Sequence, residues 1–463
     1  MRHFLLSLLS YLARAVVRRQ RSMIVGVTGS VGKTSAREAI RAVLATDWNV
    51  RSAPKNYNNE IGFPVAIIGG RAPGRSPFAW AAILLRGCAL ACVRLLRYPE
   101  VLVLEYGADH PGDIAYLTAI AAPRIGVITA VGPAHTEFFG SVERVATEKR
   151  RLITGLTRED TAVLNRDDER VTTMRDRTRA RVLTYGFHAE ADVRGIEYQV
   201  TYAAPSNAQS STPLQEAGSW KLEAGDRTID SQTPNSQSPT PPTVPMGIAL
   251  KLQVGGSAVP VHLVGCIGKG HASAVLAAAA VGIALDMHLV EISHALEGYE
   301  APPGRMRLIP GVKQTMLVDD TYNSSPLALA SALEALVGIE VTGRRIAVLG
   351  DMLELGSLTS PEHRHMGELV AARRFDYVMT VGAASRHLAV GAREAGMAAD
   401  RVLEFQTAPD AARFVQDLLH PGDIVLIKGS QSMRMERVVQ ELMADPLRAH
   451  ELLCRQDSAW RDR

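Results

Sequence analysis

One ten-residue segment constrains this chain more than any other: Gly26-Val-Thr-Gly-Ser-Val-Gly-Lys-Thr-Ser35. The apolar run Met23–Val27 predicts a short strand, and the Ala-rich sequence from Ala36 predicts a helix. A strand that turns through glycines into a helix aims several backbone N–H groups at one spot. The helix N-terminus adds positive potential there, so the spot suits phosphate. Thr28, Gly29, Ser30, Gly32, Lys33, Thr34 and Ser35 are therefore candidate nucleotide-binding residues. Lys33 would reach the outer phosphates, and the Thr34 hydroxyl would ligate Mg²⁺. Val27 stands where the strict pattern has its first glycine, so the loop is the shorter T-G-x-x-G-K-T variant.

The rest of the chain repeats the strand–helix alternation. Val101–Glu105, Ile125–Thr129 and Ala162–Leu164 read as further strands, a parallel α/β pattern. From about 192 to 264 the pattern is β-rich, with strands at Ile248–Val254 and Val259–Val264. Residues 204–244 are loaded with Ser, Thr, Pro, Gln and Asn, and read as a disordered surface insert. His271–Ala284 is an Ala-rich helix, and Ala301-Pro-Pro-Gly304 reads as a hinge. The alternation then restarts with strands at Thr315–Val318, Ile346–Leu349, Tyr377–Val381, Val402–Phe405 and Ile424–Ile427. Three parts follow: an N-terminal helix over 1–22, a central part over 23–302 and a C-terminal part over 303–463.

The 463 residues carry a formal charge of +3, and residues 1–21 hold five arginines and no acid. The remainder is therefore −2, which argues against nucleic acid as the main partner. Phe4, Leu5, Leu8, Leu12 and Val16 recur at helical spacing. That helix either packs on the next domain or lies on a membrane surface; its apolar run is too short to span one. Residues 78–96 are the most apolar stretch, broken by Arg86 and Arg94. This reads as a packed helix or, alternatively, as a membrane-contacting one. Four cysteines in this length make no disulfide framework, and Cys88-x-x-x-Cys92 has no second pair with which to build a zinc site.

Further motifs surround the loop. They are Asn56-Tyr-Asn-Asn-Glu-Ile-Gly-Phe-Pro64, Glu105-Tyr-Gly-Ala, His135 in Gly-Pro-Ala-His-Thr-Glu, Lys149, Asp319-Asp-Thr-Tyr-Asn-Ser-Ser-Pro326, Gly350-Asp-Met-Leu-Glu-Leu-Gly356 and Lys428-Gly-Ser430. Together they resemble the Mur ligases, ATP-dependent amide-forming enzymes of peptidoglycan synthesis. The pattern is most similar to the member that adds D-alanyl-D-alanine to a muramyl-peptide acceptor. The resemblance implies a P-loop ATPase-like central domain with a β-rich part, followed by a Rossmann-like C-terminal domain. It also implies ATP and Mg²⁺ as cofactors; the chain is expected to be a monomer, cytoplasmic by its few cysteines, with peripheral contact at the inner membrane face as the alternative.

Site roles follow from the same resemblance. Glu105 and His135 join Thr34 as metal ligands. Lys149 falls where several relatives carry a carbamylated lysine. Asp320 meets the ribose, Tyr322 and Asn323 shape the nucleotide edge, and Arg305 approaches the phosphates after domain closure. Asn56, Asn58, Asn59, Asp351 and Glu354 face the substrates, and Lys428 contacts the incoming substrate or phosphate. Lys33, His135, Lys149 and Lys428 form the catalytic set. His271 stands in Gly268-Lys-Gly-His-Ala-Ser-Ala-Val-Leu-Ala-Ala278, where the family has asparagines beside the adenine. Family members also carry an N-terminal domain that grips the uridine diphosphate, yet only 23 residues precede Ile24. That difference leaves open a ligase for another, lipid-linked carboxylate, and the altered 268–274 run leaves open a nucleotide-binding homologue without turnover.

Overall fold

The structure is a computed structural model that describes residues 2–53, 57–70, 74, 76–95, 97–133, 136–203, 244–457 and 460. Its first sheet holds nine strands. They are β1 (Met23–Thr28), β2 (Val50–Ser52), β3 (Val101–Glu105), β4 (Ile125–Ile128), β5 (Thr161–Asn165), β6 (Arg181–Gly186), β7 (Val193–Tyr202), β8 (Pro245–Val254) and β9 (Ser257–Val264). Their order is β2-β3-β1-β4-β5-β6-β7-β8-β9. The pairs from β2 through β7 are parallel, and β8 and β9 continue the sheet antiparallel. Central β1 pairs Val25 with Val103 on one side and with Ile125 on the other. Strands covered on both faces need apolar residues throughout, so β1, β3, β4 and β5 are almost wholly buried. Apart from Val244, the polar insert 204–244 lies outside the described residues.

The second sheet holds β10 (Arg307–Gly311), β11 (Thr315–Asp320), β12 (Arg345–Gly350), β13 (Tyr377–Val381), β14 (Val402–Phe405) and β15 (Ile424–Lys428). Their order is β10-β11-β15-β12-β13-β14, parallel except for β10 against β11. The apolar pattern marks neither β2, β6 nor β10. Strand β2 is three half-buried residues, β6 opens on exposed Arg181, and β10 carries Pro310. Proline lacks the N–H of a ladder and is tolerated on an edge such as this one.

Six helices bear on the site: α1 (Arg2–Gln20), α2 (Lys33–Leu44), α3 (Gly62–Ile68), α4 (Pro77–Cys92), α5 (Val142–Thr154) and α6 (Lys269–Ala284). Helix α6 is buried on nearly every side from Ala274 to Gly282 and packs on α2. Its alanines let the two helices come close. Helix α1 packs on α3 and α4 through Leu9, Leu12, Ala13 and Val16. Its last residue closes α4: Gln20 Nε2 donates to Leu90 O at 2.6 Å and Val93 O at 2.7 Å, and Gln20 Oε1 accepts from Leu95 N. These bonds satisfy carbonyls that a helix end leaves open. Most of the N-terminal helix's apolar face is thus spent on the fold, although Phe4 stays 70% exposed. Helix α4 ends at Cys92, so Arg94 lies beyond it rather than sharing a helical face with Arg86. Among the described residues, no helix is long and apolar enough to cross a membrane.

Candidate active site

The Gly-rich turn sits at the C-terminal end of β1, and two threonines pin it from behind. Thr28 Oγ1 donates to Tyr106 O at 2.7 Å, and Thr129 Oγ1 donates to Val31 O at 2.6 Å. Gly29 has φ +151°, and a Cβ there would overlap the Thr129 hydroxyl, so only glycine fits. Gly32 has φ +87° and launches α2. Ser30, Val31, Gly32, Lys33, Thr34 and Ser35 line a deep cleft between the two sheets. Thr28 and Gly29 do not line it: Thr28 is fully buried and holds the turn in shape, which corrects its expected role as a phosphate ligand. Thr129 was not legible as a site residue, because its contribution comes from a neighbouring strand.

Lys33 Nζ donates to Gly29 O at 2.7 Å, curled over its own loop. Burial lowers its pKa below the ordinary lysine value, while Glu105 works the other way. Glu105 ends β3 at 2% exposure, with Arg37 of α2 at 3.2 Å from its Oε1. That oxygen accepts no hydrogen bond. A buried anionic oxygen with unused coordination, in the same cleft as the Thr34 hydroxyl, fits a hard cation. Mg²⁺ keeps waters and uses substrate phosphates, so two protein oxygens suffice. Among the described residues there is no cluster of three or more carboxylate, His or Cys groups to hold a metal. His135 and Asn56 lie outside the described residues. Asp109, four residues past Glu105, also lines the cleft; its signal was its place after a strand end.

Behind the loop, α5 carries Lys149 at 2% exposure. Burial drives its pKa well below the ordinary lysine value, and the charge of Lys33 lowers it further. Lys149 lies outside the cleft lining.

The second sheet contributes the opposite wall. Arg305 donates from Nη2 to Thr34 Oγ1 at 3.2 Å and lies over the Tyr322 ring at 4.3 Å. Sequence order puts these partners 271 residues apart, and the cleft joins them. Lys428 Nζ bonds Asp320 Oδ2 at 2.6 Å and Asn323 O at 2.9 Å. Lys428 and Asp320, expected on separate ligands, hold each other here and fasten the loop that carries Tyr322 and Asn323.

His271 is 3% exposed, with Nδ1 2.8 Å from the Tyr299 hydroxyl and Nε2 2.7 Å from Arg305 O. Both ring nitrogens are engaged, and burial lowers its pKa. The ring lines the cleft and ties α6 to the segment that delivers Arg305.

Asn58 and Asn59 line the cleft near the loop. Asn59 Oδ1 also accepts from Ile61 N and from Gly62 N at 2.8 Å, which starts α3. Asp351 lies off the cleft lining: its Oδ1 accepts Ser385 N at 2.7 Å, so it braces a loop and does not face an amine. Glu354 does line the cleft. Next to it the two halves touch directly, with Glu137 N donating to Glu354 O and Thr136 Oγ1 to Leu355 O, both at 3.3 Å.

Residues 87–217 match the Mur ligase middle domain, and residues 304–431 match the Mur ligase glutamate ligase domain. The chain is 30% identical over 441 residues to the UDP-N-acetylmuramoyl-tripeptide–D-alanyl-D-alanine ligase of Mycobacterium leprae, covering 91% of this chain and 74% of that one. It is 26% identical to the same-named enzyme of Bacillus subtilis, covering 96% and 80%. Among solved structures, it resembles the MurF ligase of Thermotoga maritima in complex with ADP. The TM-score is 0.71 at 25% identity, covering 94% of this chain and 83% of that one.

Proposed function

The chain belongs to the Mur ligase family, and from that premise we propose that it joins D-alanyl-D-alanine to a UDP-linked muramyl tripeptide, using ATP, in peptidoglycan precursor synthesis. One observation carries the reading: Arg305, from the far side of the cleft, reaches the P-loop hydroxyl of Thr34 at 3.2 Å. Both halves of the molecule thus converge where the phosphates of a nucleotide would lie. In this reading the enzyme is a cytoplasmic monomer acting on small-molecule substrates.

A carboxylate is a poor electrophile at neutral pH. Its attack on the γ-phosphorus of ATP gives an acyl phosphate and ADP. The amine of D-alanyl-D-alanine then attacks the acyl carbon, and the tetrahedral intermediate collapses with loss of inorganic phosphate. Such a reaction asks the protein chiefly for positioning and charge neutralisation. The loop N–H groups and Lys33 hold the phosphates, and Arg305 neutralises charge from the opposite wall. Thr34 and Glu105 would hold Mg²⁺, which draws charge off the phosphate oxygens when bound. Contacts of residues 136–137 with 354–355 join the two halves beside the cleft, where a closed arrangement would limit the access of water to the acyl phosphate.

The assay uses purified protein, ATP, Mg²⁺, D-alanyl-D-alanine and UDP-linked muramyl tripeptide, with phosphate release and product mass as readouts. A new amide of the expected mass is the predicted result. Turnover with a lipid-linked carboxylate alone would replace this acceptor, and ATP binding without turnover on any acceptor would overturn the ligase reading.

Lys149 supports a second test. Burial disfavours the protonated form of this amine; the neutral form is nucleophilic toward CO₂, and the resulting carbamate would put a negative charge beside Lys33. Protein equilibrated with ¹³C-bicarbonate is expected to show one carbamate resonance that Lys149→Arg removes, with kcat down about a hundredfold. Unchanged kcat in the variant would refute the role.

A further inference from the structure

Helix α4 packs on α1 and α3 and turns Ile83, Gly87 and Leu90 inward. The opposite face is unlike that of a helix at a water surface. At 100° per residue, Phe78, Ala81, Ala82, Leu85, Ala89 and Cys92 fall on one arc of about 80°, and all are exposed. Phe78 is 87% exposed and Leu85 70%, and no charged residue interrupts the arc. Val93 and Leu95 extend the apolar surface past the helix end, at 55% and 49% exposure. Outward helix faces normally carry charged and polar side chains. Among the described residues, nothing packs on this one.

The segments that form this face and the helix beneath it carry charge of a single sign. Residues 61–99 contain five arginines and no acid, as do residues 1–21. With ten arginines in these two segments and +3 on the whole chain, the rest of the molecule is −7. Gln20 fixes the end of α1 onto the end of α4, so exposed Arg18, Arg19 and Arg21 gather beside exposed Arg94 and Arg97. An uncharged helical face flanked by arginines matches a surface with an apolar interior and anionic headgroups. A second copy of the same patch would offer arginines and no acidic group from these segments to meet them, so an anionic surface is the better match.

We propose that the outer face of α4, with the arginines at its C-terminal end, docks the protein on an anionic lipid bilayer. The helix lies in the interface and does not cross it. From α4 the chain leads back through α3 to Asn58 and Asn59 at the cleft, so docking would hold the cleft near the bilayer surface. The inference does not depend on the ligase reading.

Flotation of the full chain with vesicles is the test. Binding to vesicles of 70% phosphatidylcholine and 30% phosphatidylglycerol should exceed binding to pure phosphatidylcholine at least tenfold, and should weaken with added salt. Phe78→Glu with Leu85→Glu, and separately Arg94→Glu with Arg97→Glu, should each lower it at least tenfold. Phosphate release in solution and thermal midpoint should be unchanged, since all four side chains are exposed. Failure of the full chain to float with the anionic vesicles, or flotation of both double variants as strong as that of the wild type, would overturn the proposal. So would a dimer in sedimentation that the Phe78/Leu85 variant dissolves while no lipid binding is seen; a second copy would then cover the face.

Discussion

Lys33→Ala is expected to lower turnover about a thousandfold while leaving the protein folded. Lys33 follows the left-handed Gly32 and opens α2, and its ammonium is the positive charge carried by the loop itself. Its removal takes a cation from the transferring phosphate, where charge changes most in the transition state. Stability should move by no more than about 1 kcal/mol, because burial already disfavours this ammonium and Arg37 remains beside Glu105. ADP affinity should fall less than turnover, since backbone N–H groups still cradle the phosphates. The lowered pKa adds a second signature. Lys33 loses its proton below the ordinary lysine value of 10.5, so the basic limb of the wild-type profile should fall below that pH. Near-normal turnover in Lys33→Ala, measured by phosphate release, would remove the P-loop from the mechanism.

Lys428→Met should act differently, through stability first. Lys428 is 2% exposed and bonds Asp320 at 2.6 Å. Removing the ammonium leaves a largely buried carboxylate without its cation, an effect of about 3–5 kcal/mol in other proteins. For a unit of this size, the unfolding midpoint should drop by roughly 10 °C. The double variant Lys428→Met/Asp320→Asn should regain much of that loss, because the uncompensated charge is gone. Turnover should stay low in the double variant, since the pair also fastens the loop bearing Tyr322 and Asn323. A single variant as stable as wild type would mean that Lys428 faces substrate and not Asp320. Calorimetry on the three proteins decides between these outcomes.

How far the sequence alone reaches depends on the range of the interaction. The P-loop is legible because its requirements are local: glycines at left-handed φ, a lysine and a hydroxyl at fixed offsets, a strand before and a helix after. The buried parallel strands are legible because a strand covered on both faces must be apolar throughout. Strand β2 is not, since its three residues draw their pairing from β3, about fifty positions away. Pairwise commitments are hidden for the same reason. Nothing near Lys428 announces that Asp320 will take its charge, and nothing near His271 announces Tyr299 and the Arg305 carbonyl. The polar motifs around Asp351 and Asn59 mark the right loops, but the fold gives these side chains bracing and capping work. Arg37 and Thr129 escaped notice because each acts on the site from a neighbouring element.

The hydrogen bonds from Thr136 and Glu137 to Leu355 and Glu354 have a kinetic meaning. They bridge the two halves at the mouth of the cleft in the same state that sets Arg305 against Thr34. Release of products as large as ADP and an extended peptide is expected to part those bonds. On that expectation every catalytic cycle contains one separation and one re-engagement of two bulky bodies moving through solvent. Friction with that solvent enters the cycle time, so added sucrose or glycerol should slow steady-state turnover more than the first turnover.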